Sequence, residues 1–445
     1  MKVFHNLRKL VRGSYWEGAF CSLMVGSTES FALYFALKSG ISYSELGLLS
    51  TMPIVLGSFC QWLIPQFIRD QDARRWKLIC YGIQILGIIA LIQATQSNNP
   101  SFWLFPGLSL YWIGGMSSGP LWLQWISNEV PSKIFSNFFS KRNAVLSMIT
   151  VLAYLATSFF LSGGGDLHRF FIAFIIGGVA RILGLVTQAW ISRPSVSATQ
   201  HPHFQAQFSA GKRDSGIRHI NPDKIPIVEI FLFTIFFKIA SNISSPFFMP
   251  LMVRELHYSL LEFTLITSIP FVGRFMFLSN WGRSVDGMKP FIGLTIAGFG
   301  ISVIPALWVT FPIYGFLLSL ETISGMLWGG FELCCLMVVR MKYGSKSMRP
   351  IALHMALMNL GATLGARLGG HLLESGWGFS KTFYLSSFMR FLVTSLFLLR
   401  ISSIPLTFQS VKSYREFLST VLTIRPSMLN LGRINWLRRR RSRKI

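Results

Sequence analysis

The segment ELGLLSTMP at residues 45–53 returns as EFTLITSIP at residues 262–270. Both open on a glutamate, close on a proline and are mostly apolar between. Ile-Gly-Gly-Met at 113–116 is matched, at nearly the same interval, by Ile-Ser-Gly-Met at 323–326, and Arg-Ile-Leu at 181–183 by Arg-Phe-Leu at 390–392. Three matches in one order at a nearly constant interval predict a duplicated unit whose copies share an orientation.

The matches lie in or at the edges of apolar runs. The 445 residues are 51% hydrophobic and 14% aromatic, with only 13% charged, far less charge than a soluble chain carries. Disorder and a disulfide scaffold are excluded. About a dozen runs are long enough to cross roughly 30 Å of hydrocarbon as helices. The expected fold class is an all-α membrane protein with twelve transmembrane helices in two pseudo-symmetric six-helix bundles. The expected spans are 16–37, 46–68, 77–94, 102–128, 143–162 and 170–191, then 226–253, 263–281, 290–310, 314–339, 351–373 and 382–399. Residues 1–192 and 226–403 would form the bundles, 193–225 a linker and 404–445 a basic tail.

The formal net charge is +25, and its distribution decides what it means. Outside the spans, Lys and Arg fall in alternate segments, and the other set holds only Lys38, Arg169, Arg254 and Lys381. This bias puts both termini and the linker in the cytoplasm, and the protein in the inner membrane. The tail, with Arg438 to Arg441, would be drawn to anionic headgroups at about 1 kcal/mol per basic residue. Lipid, not nucleic acid, is therefore the expected partner of the charge. Residues 410–424 could lie flat on the inner leaflet. The five cysteines sit in apolar runs without ligand spacing and read as packing residues. His201 and His203 read as part of a loop, so no metal or cofactor is expected.

The loop after the second span reads Asp70-Gln-Asp-Ala-Arg74-Arg75, and its counterpart Gly282-Arg283-Ser-Val-Asp286-Gly-Met-Lys289. On these residues the chain resembles the major facilitator superfamily (MFS), whose motif here is Gly-x-x-x-Asp-Arg-x-Gly-Arg-Arg/Lys. Gln66 stands where the first glycine is expected, and in the second copy the basic residue comes one position early. Such carboxylates facing guanidinium groups at helix ends would form a gating latch that breaks and reforms as the halves rock. Simple anchoring of the loops in the cytoplasm is the competing reading. The stretch Trp122 to Pro131 with Lys141-Arg142-Asn143 resembles sparsely characterised bacterial members of the superfamily. The span-5 glycine-proline motif of drug/proton antiporters is absent, since residues 146–160 contain neither.

The resemblance implies that spans 1, 4, 7 and 10 line a central cavity, that 2, 5, 8 and 11 gate it, and that 3, 6, 9 and 12 lie outside. Ionisable groups inside the membrane are costly unless paired or wet. The expected substrate or proton pathway is therefore Glu29, Gln124, Asn128, Lys238, Asn242, Glu321 and Glu332. Glu29 and Lys238 occupy similar depths in the two halves. They could form a switching pair with Glu29 as a proton carrier, or a permanent salt bridge. Glu332 could instead partner a gate arginine, Arg274 or Arg367. Arg181 and Arg390, on outer helices, read as structural, bound to carboxylates or backbone carbonyls. The cationic excess favours an anionic or zwitterionic solute. Gly361, Gly365 and Gly369 read as a helix-packing face.

The expected function is secondary transport of a small solute by alternating access, with proton coupling through Glu29, by a monomer of no enzymatic activity. A passive facilitator has the same architecture. A membrane-embedded transferase lacks a clustered catalytic set, and no phosphate loop for ATP hydrolysis occurs. A non-transporting sensor remains the other alternative.

Overall fold

The computed structural model describes residues 2–41, 43–69, 72–130, 132–162, 168–191, 225–285, 289–343, 348–402 and 411–422. The linker, most of the basic tail, Asp70 and Asp286 lie outside the described residues. The first rod is α1 (Lys2–Met24), a π-helical turn Val25–Glu29 and α2 (Ser30–Lys38). It is followed by α3 (Tyr43–Phe67), α4 (Ala73–Ala94), α5 (Pro100–Glu129), α6 (Ser132–Ser162) and α7 (His168–Ile191). The second half opens with α8 (Ile227–Asn242), continued by a 3-10 turn at Ser245–Phe247, one α turn and a π turn at Leu251–Glu255. Then come α9 (Leu260–Ser284), α10 (Lys289–Thr310), α11 (Tyr314–Tyr343), α12 (Met348–Glu374) and α13 (Gly378–Ser402), with a short α14 (Val411–Leu422) last.

Among the described residues nine helices are long and apolar enough to cross a membrane. Rods α3, α5 and α9 fall short. They are continuous helices of 25, 30 and 25 residues with prolines inside them, Pro53 and Pro65 in α3, Pro106 and Pro120 in α5 and Pro270 in α9. The protein is a multi-pass integral membrane protein.

Packing repeats as the sequence matches require. In the first half α1 meets α6 and α7, α5 meets α3 and α4, and α4 meets α7. In the second, α8 meets α12 and α13, α11 meets α9 and α10, and α10 meets α13. These are the same pairings once α3 is matched with α9 and α7 with α13. The start of α9 carries a capping box, Ser259 and Glu262 each bonding the other's backbone N–H, so the repeated glutamate marks a helix N-terminus. The glycine face of α12 lies directly on α8: a methyl at Gly365 would run into the carbonyl oxygen of Ile239, and one at Gly369 into that of Ile243.

The first rod of each half departs from α geometry, and one break is braced by an arginine. Pro246 has no N–H to donate, so the end of α8 leaves carbonyls to satisfy. Arg390 on α13, 2% exposed, supplies donors: Nη1 to the Ile301 carbonyl at 3.1 Å, and Nη2 to the Ser241 carbonyl and Ser244 Oγ, both at 2.8 Å. The structural reading of Arg390 holds. Arg181 departs from its expectation: its guanidinium lies on the Tyr81 ring, 3.5 Å from the centroid. Arg390→Met is expected to lower stability by about 1–3 kcal/mol through unsatisfied acceptors, read as a lower melting temperature in detergent micelles. An unchanged value would mean water replaces the guanidinium.

Helix α14, where the sequence suggests a segment lying on the inner leaflet, also packs on the bundle. Phe417 packs edge-on against Trp281 with centroids 5.3 Å apart, and Asn280 Nδ2 donates to the Val421 carbonyl at 2.9 Å. One apolar side of α14 is thus docked on α9, while Leu418 and Leu422 stay exposed.

Candidate functional site

Helix α7 finishes and α8 starts at the same end of the molecule, the linker end, and there the two halves meet. α6 packs on α9, and α12 packs on α3 and α5. Side-chain cross-links between the halves lie toward that end: Arg340 Nη1 donates to Ser127 Oγ and its guanidinium lies on Phe135, Arg349 Nε donates to the Pro65 carbonyl at 3.3 Å, and Asn359 Nδ2 to Gln61 Oε1 at 3.2 Å.

Above this seam lies a cavity of about 410 Å³, within the usual range for a small ligand. Three charged side chains reach it, Lys238 from α8, Arg274 from α9 and Glu332 from α11. Arg274 Nη2 donates to Glu332 Oε2 in an ion pair, so the alternative reading of Glu332 as partner of a gate arginine is realised, inside the cavity wall. The Lys238 ammonium sits over Trp328, 4.5 Å from the ring centroid. Trp328 is fixed in turn against Phe237 and Phe331. His354 faces the same space, stacked on Phe231 with Nδ1 3.4 Å from Thr234 Oγ1.

Of the seven expected pathway residues, Lys238 and Glu332 line this cavity. Glu29 is elsewhere, at the end of the π turn in the first rod, where its Oε2 accepts from Tyr111 Oη at 3.1 Å. A π turn inserts a residue and so re-aims the side chains beyond it, and such turns recur at functional sites. Glu29 and Lys238 form no ion pair among the described residues; the expected partnership is replaced by Tyr111 for one and Trp328 for the other. Gln124 Nε2 bonds Asn128 Oδ1 along α5 at 3.5 Å. Asn242 Nδ2 donates to the Lys238 carbonyl at 2.9 Å. Glu321 accepts from Trp308 Nε1 of α10 at 2.7 Å, facing an outer helix.

Of the latch, Arg74 lies within electrostatic reach of Glu129, and Arg75 is exposed. Gly282 is buried hard against Ser140 of α6, and Arg283 lies near Lys141. Asp70, Asp286 and the side chain of Lys289 lie outside the described residues. Residues that the sequence did not single out for the cavity are Gln61, Asn143, His354 and Asn359, all on gate helices α3, α6 and α12. Each is a polar side chain within an apolar run, which is the signal the sequence offers for them.

Residues 230–436 match the family model for the Major Facilitator Superfamily. No curated protein matches the chain in sequence. Among solved structures the chain is similar to the Escherichia coli fucose:proton symporter, with a TM-score of 0.65 and 12% identity over 90% of this chain and 99% of that one. A bacterial homologue of the iron transporter ferroportin, in an outward-facing state, gives 0.62 and 13% over 88% and 98%. A proton:xylose symporter gives 0.59 and 16% over 89% and 95%. At such identities the likeness speaks for the fold. The chain thus has the fold of major facilitator superfamily transporters, and its second half, residues 230–436, matches that family's model.

Proposed function

We propose that the protein carries a small solute across the membrane by alternating access, with residues 1–192 and 226–403 as the two moving bundles. The observation that carries this reading is the one-sided seam: the halves are cross-linked toward the linker end, below a cavity whose wall holds charged groups from three helices. A rocking pair of bundles needs such a seam to open while its counterpart closes. The positive-inside bias supports a cytoplasmic linker end, and on that reading the closed seam lies on the cytoplasmic side of the cavity.

Proton coupling is assigned to Glu29. Its carboxyl is held by the neutral Tyr111 hydroxyl and by no salt bridge among the described residues, so it can take up a proton without breaking an ion pair. Two of the structural neighbours are proton symporters by name, which supports the assignment. The test is uptake into proteoliposomes under an imposed proton gradient. Glu29→Gln is expected to abolish accumulation, a drop of at least about tenfold, while leaving counterflow exchange near the wild-type rate. Accumulation at the wild-type level would remove Glu29 from the pathway, and wild-type flux without accumulation would mark a passive facilitator.

A further inference from the structure

The three charges of the cavity are unequally satisfied. Arg274 and Glu332 neutralise one another. The Lys238 ammonium has no hydrogen bond or ion pair among the described residues and lies over the face of Trp328. A cation over an aromatic ring recovers part of what it loses on leaving water, well short of what a carboxylate with direct N–H···O contact provides. The pair and the lone ammonium together leave the wall with one net positive charge.

The remaining lining is largely thioether and hydrocarbon, including Met355, Met358, Phe139 and Leu336. Methionines adapt to irregular apolar shapes. A polyhydroxylated solute would find few hydrogen-bonding partners there, because Gln61 and Asn359 bond one another and Gln61 Nε2 also bonds the Met116 carbonyl. A cationic solute would meet an unneutralised ammonium. Among the described residues there is no cluster of three or more His, Cys, Asp and Glu to hold a metal ion.

We infer that this cavity binds an organic monoanion with an apolar body, its carboxylate on Lys238 and its body against the methionine-rich wall. The inference rests on the cavity being the solute site proposed above. Trp328 then positions the ammonium in the empty state, and the Arg274–Glu332 pair holds the second cation away from the ligand, so one anionic charge suffices.

The test uses three probes of one shape, 3-phenylpropionate, 3-phenylpropanamide and 3-phenylpropylamine, bound to the purified full-length protein in uncharged detergent. The acid is expected to bind about tenfold or more tighter than the amide, the amine weakest. Lys238→Gln should remove the preference of acid over amide without changing amide affinity, and Lys238→Arg should keep it. Equal binding of acid and amide to the wild type, no binding of the acid, or a preference that survives Lys238→Gln each overturns the inference. The wild-type comparison decides the matter even if Lys238→Gln fails to fold. Counterflow of the acid in proteoliposomes is scored separately: tight binding without flux retires the transport reading and keeps the ligand class, whereas flux of a neutral solute that ignores Lys238 does the reverse.

Discussion

Glu17→Gln is expected to cost about 3–5 kcal/mol of stability, the range found when one partner of a buried ion pair is removed. Glu17 is 2% exposed in α1 and is surrounded by three buried cations, Lys77 of α4, Arg142 of α6 and Arg181 of α7. Arg142 Nη2 donates to its Oε2 at 2.9 Å, and Tyr81 Oη to its Oε1 at 2.6 Å. Arg142 also donates from Nε to the Ser14 carbonyl at 3.0 Å, and each cation lies on a ring, Lys77 on Trp125 at 3.9 Å, Arg142 on Trp122 at 4.2 Å and Arg181 on Tyr81 at 3.5 Å. Glutamine keeps the shape and removes the one carboxylate, so the cations are left facing one another in a medium that screens them poorly. The measurement is the melting temperature of purified protein in detergent. Lys77→Met points the other way, because Lys77 Nζ has no hydrogen-bond partner and the substitution removes a buried cation. The double variant should recover part of the loss. A Glu17→Gln protein that melts with the wild type would mean that the cluster is wet.

That cluster escapes the sequence for a physical reason. Hydropathy marks where a helix crosses hydrocarbon, not where it ends. The expected spans open at residues 16, 77 and 143, so Glu17, Lys77 and Arg142 read as interfacial charges, free to reach water. The helices begin earlier, at Lys2, Ala73 and Ser132, and these extensions pack together and bury them. Arg390 is legible because it stands mid-span, where a charge must find a partner. The repeats are legible because the residues that cap and pack helices recur in both halves. The cavity is half legible. Lys238 and Glu332 follow from the superfamily's arrangement, whereas Gln61, Asn143 and Asn359 lie on gate helices whose inner face no periodicity distinguishes from their lipid face. Glu29 stands out in the sequence as a mid-span charge, but its Tyr111 partner does not, since nothing in Val-Gly-Ser-Thr-Glu announces a π turn.

Gly282→Leu is expected to cut turnover by about 5- to 150-fold, the equilibrium shift that 1–3 kcal/mol of overpacking produces. Gly282 is where α9 touches α6 at the linker end: a Cβ there would overlap Ser140 Oγ and lie 2.9 Å from the Ser136 carbonyl oxygen. A leucine fits only if the two helices part, so the closed seam is destabilised, and the cavity wall that Phe139 and Leu278 of the same helices supply opens with it. The expected signature is a change of side. In a background with the native cysteines replaced by serine, a cysteine introduced at Met358 should gain reactivity toward an impermeant thiol reagent from the linker side and lose it from the far side. Loss of turnover without that exchange would indicate misfolding rather than a shifted equilibrium. A compensating pair separates the two further, because the nearer obstacle is a side chain. Gly282→Ala should slow turnover less than leucine does, and Ser140→Gly added to it should restore much of the rate, a coupling that only direct contact between the helices produces. If the pair is additive, the contact does not control closure, and the seam holds the halves together without gating them.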